Sequence, residues 1–135
     1  MSARKVLVVD DDDDIREVTG FALELIGGWQ VVDTDRGAKA LTVASDEQPD
    51  LVLLDVMMPD LDGIATFRRL QADPATRHIP VILLTAKATD EYEAVWRGLG
   101  VIGVIAKPFA PTTLVEQIDH LLSTAPGGVP HVTPI

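Results

Sequence analysis

Five short runs of aliphatic residues divide the chain at nearly regular intervals. They cover residues 6–9, 30–32, 51–54, 81–84 and 101–105. Four of them consist almost entirely of Val, Ile and Leu, which predicts strands buried on both faces of a parallel sheet. The run at 30–32 is short and has polar neighbours, so it is expected to form an edge strand.

The segments between these runs carry apolar residues at helical spacing. The clearest covers residues 13–26, where Ile15, Val18, Ala22, Leu25 and Ile26 form one stripe and Gly27 and Gly28 follow as a stop. Similar spacing predicts further helices near residues 38–44, after Gly63, near 92–99 and after Pro111. The aromatic residues expected in the core are Phe21, Trp29 and Phe67.

Strand and helix alternate five times without an internal repeat, which predicts an α/β fold. Right-handed crossovers leave few topologies, and at this size the favoured one is a five-stranded parallel sheet in the flavodoxin-like order 2-1-3-4-5 with helices on both faces. The length of 135 residues suits one domain, which we place at 1–123. Residues 124–135 are rich in Pro, Gly and Thr and are expected to be a flexible tail or linker stub.

The composition argues against several classes of ligand and site. There are 21 acidic and 11 basic residues, so the net charge is −10. This charge argues against direct binding of nucleic acid or anionic membranes. The absence of cysteine removes disulfides, thiolate zinc sites and cysteine nucleophiles, and favours a cytoplasmic location. No segment approaches the length of a signal peptide or a membrane span.

Polar side chains stand where the predicted strands end. They are Asp10 and Asp11 after the first, Asp55 after the third, Thr85 after the fourth and Lys107 after the fifth. In an open α/β sheet, ligands bind outside these strand ends, so the five residues are expected to share one pocket. Three crowded carboxylates favour a hard cation such as Mg²⁺, and a carboxylate can accept a phosphoryl group. Asp12, Asp13 and Asp14 are interpreted as N-terminal helix residues.

The segments VLVVDD, LVLLDVMMPDLDG, VILLTA and AKPF, in this order and spacing, resemble the receiver domain of bacterial two-component response regulators, of which the chemotaxis response regulator is an example. The resemblance covers roughly residues 4–123. It implies that Asp55 is the phosphorylated aspartate. It also implies that Asp10, Asp11, Asp55 and the backbone carbonyl of Met57 hold Mg²⁺.

Two further positions follow the family pattern. Three others bear on how phosphorylation is signalled and on how long the aspartyl phosphate lasts. Thr85 and Lys107 match the hydroxyl and the lysine that turn toward the phosphoryl group, and Lys107–Pro108 matches a peptide bond that is often cis. Val104 stands where the family usually has an aromatic residue that reports phosphorylation. Met57 and Lys87 flank the path of attacking water in the family, and neither orients water well, which predicts slow self-dephosphorylation.

The resemblance implies a phospho-accepting signalling switch and not a metabolic enzyme. The expected partners are a histidine kinase or phosphotransfer protein and an unknown downstream protein, without direct nucleic-acid or membrane contact, and the chain is expected to be a monomer or weak dimer. The alternative is a haloacid-dehalogenase-like phosphatase with an N-terminal aspartate nucleophile, although its Asp-x-Asp-x-Thr/Val pattern is absent. A flavodoxin-like flavin binder would need a Ser/Thr/Gly-rich phosphate loop where this chain has five aspartates.

Overall fold

A single parallel sheet organises the protein, and the computed structural model describes residues 4–56, 63–86, 98–124 and 131–132. Its strands are β1 (Lys5–Val9), β2 (Gln30–Thr34), β3 (Leu51–Asp55), β4 (Val81–Thr85), β5 (Gly103–Ala106) and β6 (His131–Val132). They lie in the order β2-β1-β3-β4-β5-β6. The predicted order 2-1-3-4-5 and the edge position of β2 are therefore confirmed, and the sheet has one strand more than predicted.

Helices cover both faces of the sheet, as predicted. They are α1 (Asp13–Leu25), α2 (Gly37–Glu47), α3 (Gly63–Ala72) and, numbered here among the described residues, α4 (Pro111–Thr124). The helix predicted near 92–99 lies almost wholly outside the described residues. Within the described ranges, no helix has the length and apolar character needed to cross a membrane.

The core consists of two apolar layers, one on each side of the sheet. One layer packs α2 and α3 through Ala40, Ala44, Phe67 and Leu70. The other packs α1 and α4 through a second set of side chains, namely Ala22, Leu23, Leu114, Ile118 and Leu121. Every residue of β3 and β4 is buried, which is why their sequences carry no alternation of polar and apolar positions.

Helix α1 turns a different face to the sheet than its apolar stripe suggests. Its buried residues are Thr19, Gly20, Ala22 and Leu23, whereas four large apolar side chains are at least half exposed, namely Val18, Phe21, Leu25 and Ile26. The prediction that Phe21 lies in the core is wrong, and the same prediction is confirmed for Trp29 and Phe67. Small residues on the buried face let the helix approach the sheet closely; a Cβ on Gly20 would be 3.7 Å from Val31 Cγ1.

The C-terminal segment contributes a short strand to the opposite edge. His131 and Val132 pair in parallel with Gly103 and Val104 of β5. Two residues of the segment 124–135, which was predicted to be a flexible tail or linker stub, thus cover part of the β5 edge. The flexibility of that segment stays a prediction. The domain boundary at residue 123 stays a prediction.

Candidate functional site

Four neighbouring strands deliver polar residues to one edge of the sheet. Asp10 follows β1, Asp55 and Thr85 are the last residues of β3 and β4, and Lys107 follows β5. Asp55 pairs with Leu84, so Thr85 lies one residue beyond it on the neighbouring strand. The Lys107 N–H donates to the Thr85 carbonyl at 2.9 Å, which carries the ladder one step past the strands. The predicted convergence of strand ends is present.

The Lys107 ammonium joins two of the carboxylates. Its Nζ lies 2.9 Å from Asp10 Oδ2 and 3.1 Å from Asp55 Oδ1, and Asp10 and Asp55 are only 1% and 5% exposed. Burial acts to lower the pKa of Lys107, but hydrogen bonding and charge attraction to Asp10, and then to Asp55, outweigh burial and raise that pKa above its ordinary value. Lys107 is therefore a fixed positive charge between two buried acids.

Asp11 completes a cluster of three carboxylates. Oxygen atoms from Asp10, Asp11 and Asp55 all lie within 4.8 Å of one another, and Asp11 is the exposed member. Three negative charges face one ammonium, so the site favours a further cation. Carboxylate oxygens are hard donors of the kind that Mg²⁺ prefers, and one exposed member leaves room for the waters that Mg²⁺ retains. The residues present therefore fit the predicted ion.

The acidic run after β1 divides into two groups with different tasks. Asp12 caps α1, because its Oδ1 accepts from the N–H groups of Asp14 at 3.0 Å and Ile15 at 3.1 Å. Asp13 and Asp14 lie in the first turn, where negative charge complements the helix dipole. The interpretation of these three residues as helix N-terminal residues is confirmed.

Two residues near the site were not identified from the sequence as part of it. Gly63 begins α3 against the backbone of Asp55, and a Cβ there would lie 2.3 Å from the Asp55 carbonyl oxygen. Arg16 donates from Nη1 to the main-chain carbonyl of Asp10 at 2.8 Å. A glycine directly after the acidic sequence at 60–62 was a usable signal for the first, whereas no spacing rule reveals the second.

The remaining predicted positions have mixed outcomes. The Lys107–Pro108 peptide bond is cis, as the resemblance implied. Val104 is fully buried in the core. Met57, whose carbonyl was predicted to bind the metal, and Lys87 lie outside the described residues.

An apolar cavity of about 370 Å³ opens beside Lys107. Its lining joins α1 to the loop after β5 and includes Ile15, Val18, Pro108 and Phe109. One of the lining residues, Val18, is half exposed on α1, so the acidic site borders an apolar surface that another protein could cover.

Comparison with known proteins agrees with this geometry. The model of the response regulator receiver domain matches residues 6–119. The phosphate regulon transcriptional regulatory protein PhoB of Pseudomonas aeruginosa is 38% identical over 128 residues, covering 94% of this chain and 56% of PhoB. PhoB of Escherichia coli K12 is 39% identical over 122 residues, covering 89% of this chain and 52% of PhoB. The chain thus spans about half the length of these relatives.

Solved structures give the same result. Chemotaxis protein CheY4 of Vibrio cholerae superposes with a TM-score of 0.82 at 28% identity, covering 89% of this chain and 99% of that one. The receiver domain of sensor histidine kinase PA1611 from Pseudomonas aeruginosa, solved with a magnesium ion coordinated in its active site cleft, gives 0.79 at 26% identity over 91% and 100% of the two chains. The comparisons do not support the phosphatase alternative. The chain belongs to the response regulator receiver domain family, whose members are phospho-accepting signalling switches.

Proposed function

We propose that Asp55 is the phosphoryl acceptor of this receiver domain and that Asp10, Asp11 and Asp55 hold Mg²⁺ for the transfer. The observation that carries the proposal is the convergence of three carboxylates within 4.8 Å, with Lys107 bonded to two of them. Asp55 ends the central strand β3, so it has the metal-holding pair on one side and Thr85 on the other.

The transfer needs one nucleophilic oxygen and neutralised charge around phosphorus. A carboxylate oxygen of Asp55 attacks the phosphorus of a phosphohistidine, and an oxygen–phosphorus bond forms as the phosphorus–nitrogen bond breaks. The imidazole nitrogen keeps the electron pair and takes up a proton from solvent. Lys107 supplies positive charge to the phosphoryl oxygens, and the Thr85 hydroxyl supplies a hydrogen-bond donor. Bound Mg²⁺ would add the charge neutralisation that one lysine cannot provide.

The signal is a redistribution of these same contacts. Phosphorylation replaces the single negative charge of Asp55 with a larger, more negative group, which draws Lys107 and Thr85 inward. Thr85 ends β4, and Lys107 follows β5 and precedes α4, so the surface of β5 and α4 responds. Because position 104 holds a valine, which is fully buried, this response does not use an aromatic side chain at that position. The downstream protein reads that surface.

The phosphoryl donor is a histidine kinase or phosphotransfer protein, and we place its docking surface on α1. Any protein donor must cover the opening above Asp55, which the cavity lined by Ile15, Val18 and Lys107 borders. The exposed Phe21 and Leu25 extend this apolar surface along the helix.

We also propose a cytoplasmic location, a monomer or weak dimer, no direct contact with nucleic acid or membrane, and slow hydrolysis of the aspartyl phosphate.

Acetyl phosphate with Mg²⁺ tests the acceptor directly. Intact-mass measurement should show one phosphoryl group on the wild-type chain and none on Asp55→Asn. Asp12→Asn is the matched control, because asparagine also caps a helix, and it should retain phosphorylation. Full phosphorylation of Asp55→Asn, or none of the wild type, would refute the assignment.

A further inference from the structure

The guanidinium of Arg16 contacts residues in three parts of the fold, namely the segment after β1, the first turn of α1 and strand β2. Nη1 donates to the Asp10 main-chain carbonyl at 2.8 Å, and Nη2 donates to the carboxylate of Asp13. Nε lies 3.9 Å from Asp33 Oδ2 near the end of β2. The Arg16 side chain is only 18% exposed, whereas that of Asp13 is 83% exposed. The buried part of this group of contacts is therefore the one directed at Asp10.

Asp10 is held at each of its polar groups. Its N–H donates to the Thr34 carbonyl at 3.2 Å. Oδ1 accepts from the Asp12 N–H at 2.9 Å, and Oδ2 accepts from Lys107 at 2.9 Å. Arg16 supplies the partner of the remaining group, the main-chain carbonyl. Because that carbonyl belongs to the planar peptide unit that leads into Asp11, fixing its oxygen fixes the plane.

The orientation of this peptide decides where Asp11 points. Asp11 is exposed, so packing does not hold its side chain. Its carboxylate nevertheless lies within 4.8 Å of those of Asp10 and Asp55. A rotation of the peptide between Asp10 and Asp11 would swing the Cα–Cβ bond of Asp11 away from the other two acids, and Arg16 opposes that rotation.

We propose that Arg16 is a positioning residue for the divalent-cation site, which holds Asp11 in place by fixing the peptide between Asp10 and Asp11. The inference rests on the Mg²⁺ site proposed above. Arg16 itself contacts neither the metal nor the phosphoryl group, and its effect on the site is carried only by the geometry of the backbone.

The charge of Arg16 acts in the opposite direction to this positioning. A guanidinium near the cluster repels Mg²⁺, so its charge alone weakens binding. The hydrogen bond with Asp13 raises the pKa of Arg16, with burial opposing it, so the group stays charged in any usual buffer. Removing Arg16 should therefore tighten Mg²⁺ binding if only charge matters, and weaken it if position matters.

The experiment titrates the full chain with MgCl₂ at constant ionic strength and follows binding by calorimetry. Arg16→Met, which retains the length and loses the donors, should weaken Mg²⁺ binding by about tenfold, the lower end of effects seen for outer-shell partners. Asp13→Asn removes a nearby negative charge but leaves the bond from Arg16 to Asp10, and it should change affinity by no more than about twofold. Charge alone predicts the opposite ranking.

Each result is decisive. Arg16→Met that binds Mg²⁺ as tightly as wild type, or more tightly, overturns the inference, as does Asp13→Asn that is weakened equally. If Arg16→Met does not fold by circular dichroism, Arg16→Lys replaces it. Lysine keeps the charge but loses the planar fork of donors, so Mg²⁺ binding should still be weaker than in the wild type, and equal binding would overturn the inference. A wild-type chain that binds no Mg²⁺ would overturn the proposed site together with the inference, whereas a wild-type chain that binds Mg²⁺ no more tightly than Arg16→Met would overturn the inference alone.

Discussion

Gly63 is the residue that lets α3 begin directly against the end of β3, the strand that carries the proposed phosphoryl acceptor Asp55. A Cβ at this position would lie 2.3 Å from the Asp55 carbonyl oxygen and 2.7 Å from Val56 Cα, and the Gly63 N–H already donates to the Val56 carbonyl at 2.9 Å. The nearest atoms are backbone and have no flexible end to move. Gly63→Ala must therefore displace either α3 or the peptide that carries Asp55.

We expect Gly63→Ala to lower the free energy of unfolding by about 1–3 kcal/mol, as overpacking usually does, and to slow phosphorylation by acetyl phosphate. Urea unfolding and intact-mass time courses measure the two effects. Gly20→Ala is the matched control, because its Cβ would meet only Val31 Cγ1 at 3.7 Å and alanine favours the middle of a helix by about 1 kcal/mol. Equal behaviour of the two variants would contradict the steric argument.

Lys107 gives the stability of the domain a defined dependence on pH. Burial lowers its pKa, but the bonds to Asp10 and Asp55 outweigh burial and raise the folded-state pKa above the unfolded value of about 10.4. The folded chain then binds the proton more tightly, so this contribution is complete below the unfolded pKa and is lost as pH rises through the folded pKa.

Comparison with Lys107→Met isolates that contribution. In metal-free buffer, the stability difference between wild type and Lys107→Met should stay constant up to about pH 10 and shrink at higher pH. Urea unfolding from pH 7 to 11 measures it, and Lys39→Met, at an exposed position on α2, should show a flat difference. A wild-type advantage that grows above pH 10 would mean that Lys107 is not stabilised in its charged form.

At the scale of elements, apolar runs were sufficient to locate strands but not to orient helices. The run at 101–105 predicted the fifth strand, whereas β5 begins at Gly103. The Ile102 N–H donates to the Val81 carbonyl at 3.0 Å just ahead of the paired residues. In α1 the apolar stripe and the buried face differ, since close approach to the sheet selects small residues. Strand β6 has only two residues, too few for any periodic signal.

The exposed apolar face of α1 leads to a prediction about the donor. Val18 is 50% exposed and lines the cavity beside Lys107, so Val18→Glu should slow transfer from the cognate phosphorylated protein at least about tenfold, or 1.4 kcal/mol in the transition state. Acetyl phosphate, which needs no docking surface, should react at the wild-type rate. Thr42→Glu, at an exposed position on α2, is the control. Equal slowing with both donors would indicate damage to the site instead of to docking.

At the scale of the whole molecule, the sheet topology is the reason that the convergence of these polar residues could be predicted from the sequence. Asp10, Asp55, Thr85 and Lys107 are separated by up to 97 residues but stand at four strand ends, and a parallel sheet brings such ends to one edge. Arg16 could not be found in this way, because its contact is made to a backbone carbonyl and any acceptor-rich loop could have received it. Topology brings the polar strand-end residues together, and side-chain geometry shows which further residues contact them.

The net charge of −10 should also act on the site as a whole. Glu24 near the end of α1 and Asp46 near the end of α2 are exposed and lie roughly 15 Å from the N-terminal ends of their helices, at about 1.5 Å per residue. Their attraction for Mg²⁺ is long-range and therefore sensitive to screening, unlike that of the three carboxylates in the cluster.

Replacing both with their amides should weaken Mg²⁺ binding at low salt, where the Debye length is about 30 Å near 0.01 M. Near 1 M salt the Debye length falls to about 3 Å, and the double variant should then match wild type measured in the same buffer. Calorimetric titration of both proteins at the two salt concentrations tests this. A deficit that persists unchanged at high salt would mean that Glu24 or Asp46 acts on the site through structure and not through the field of the whole molecule.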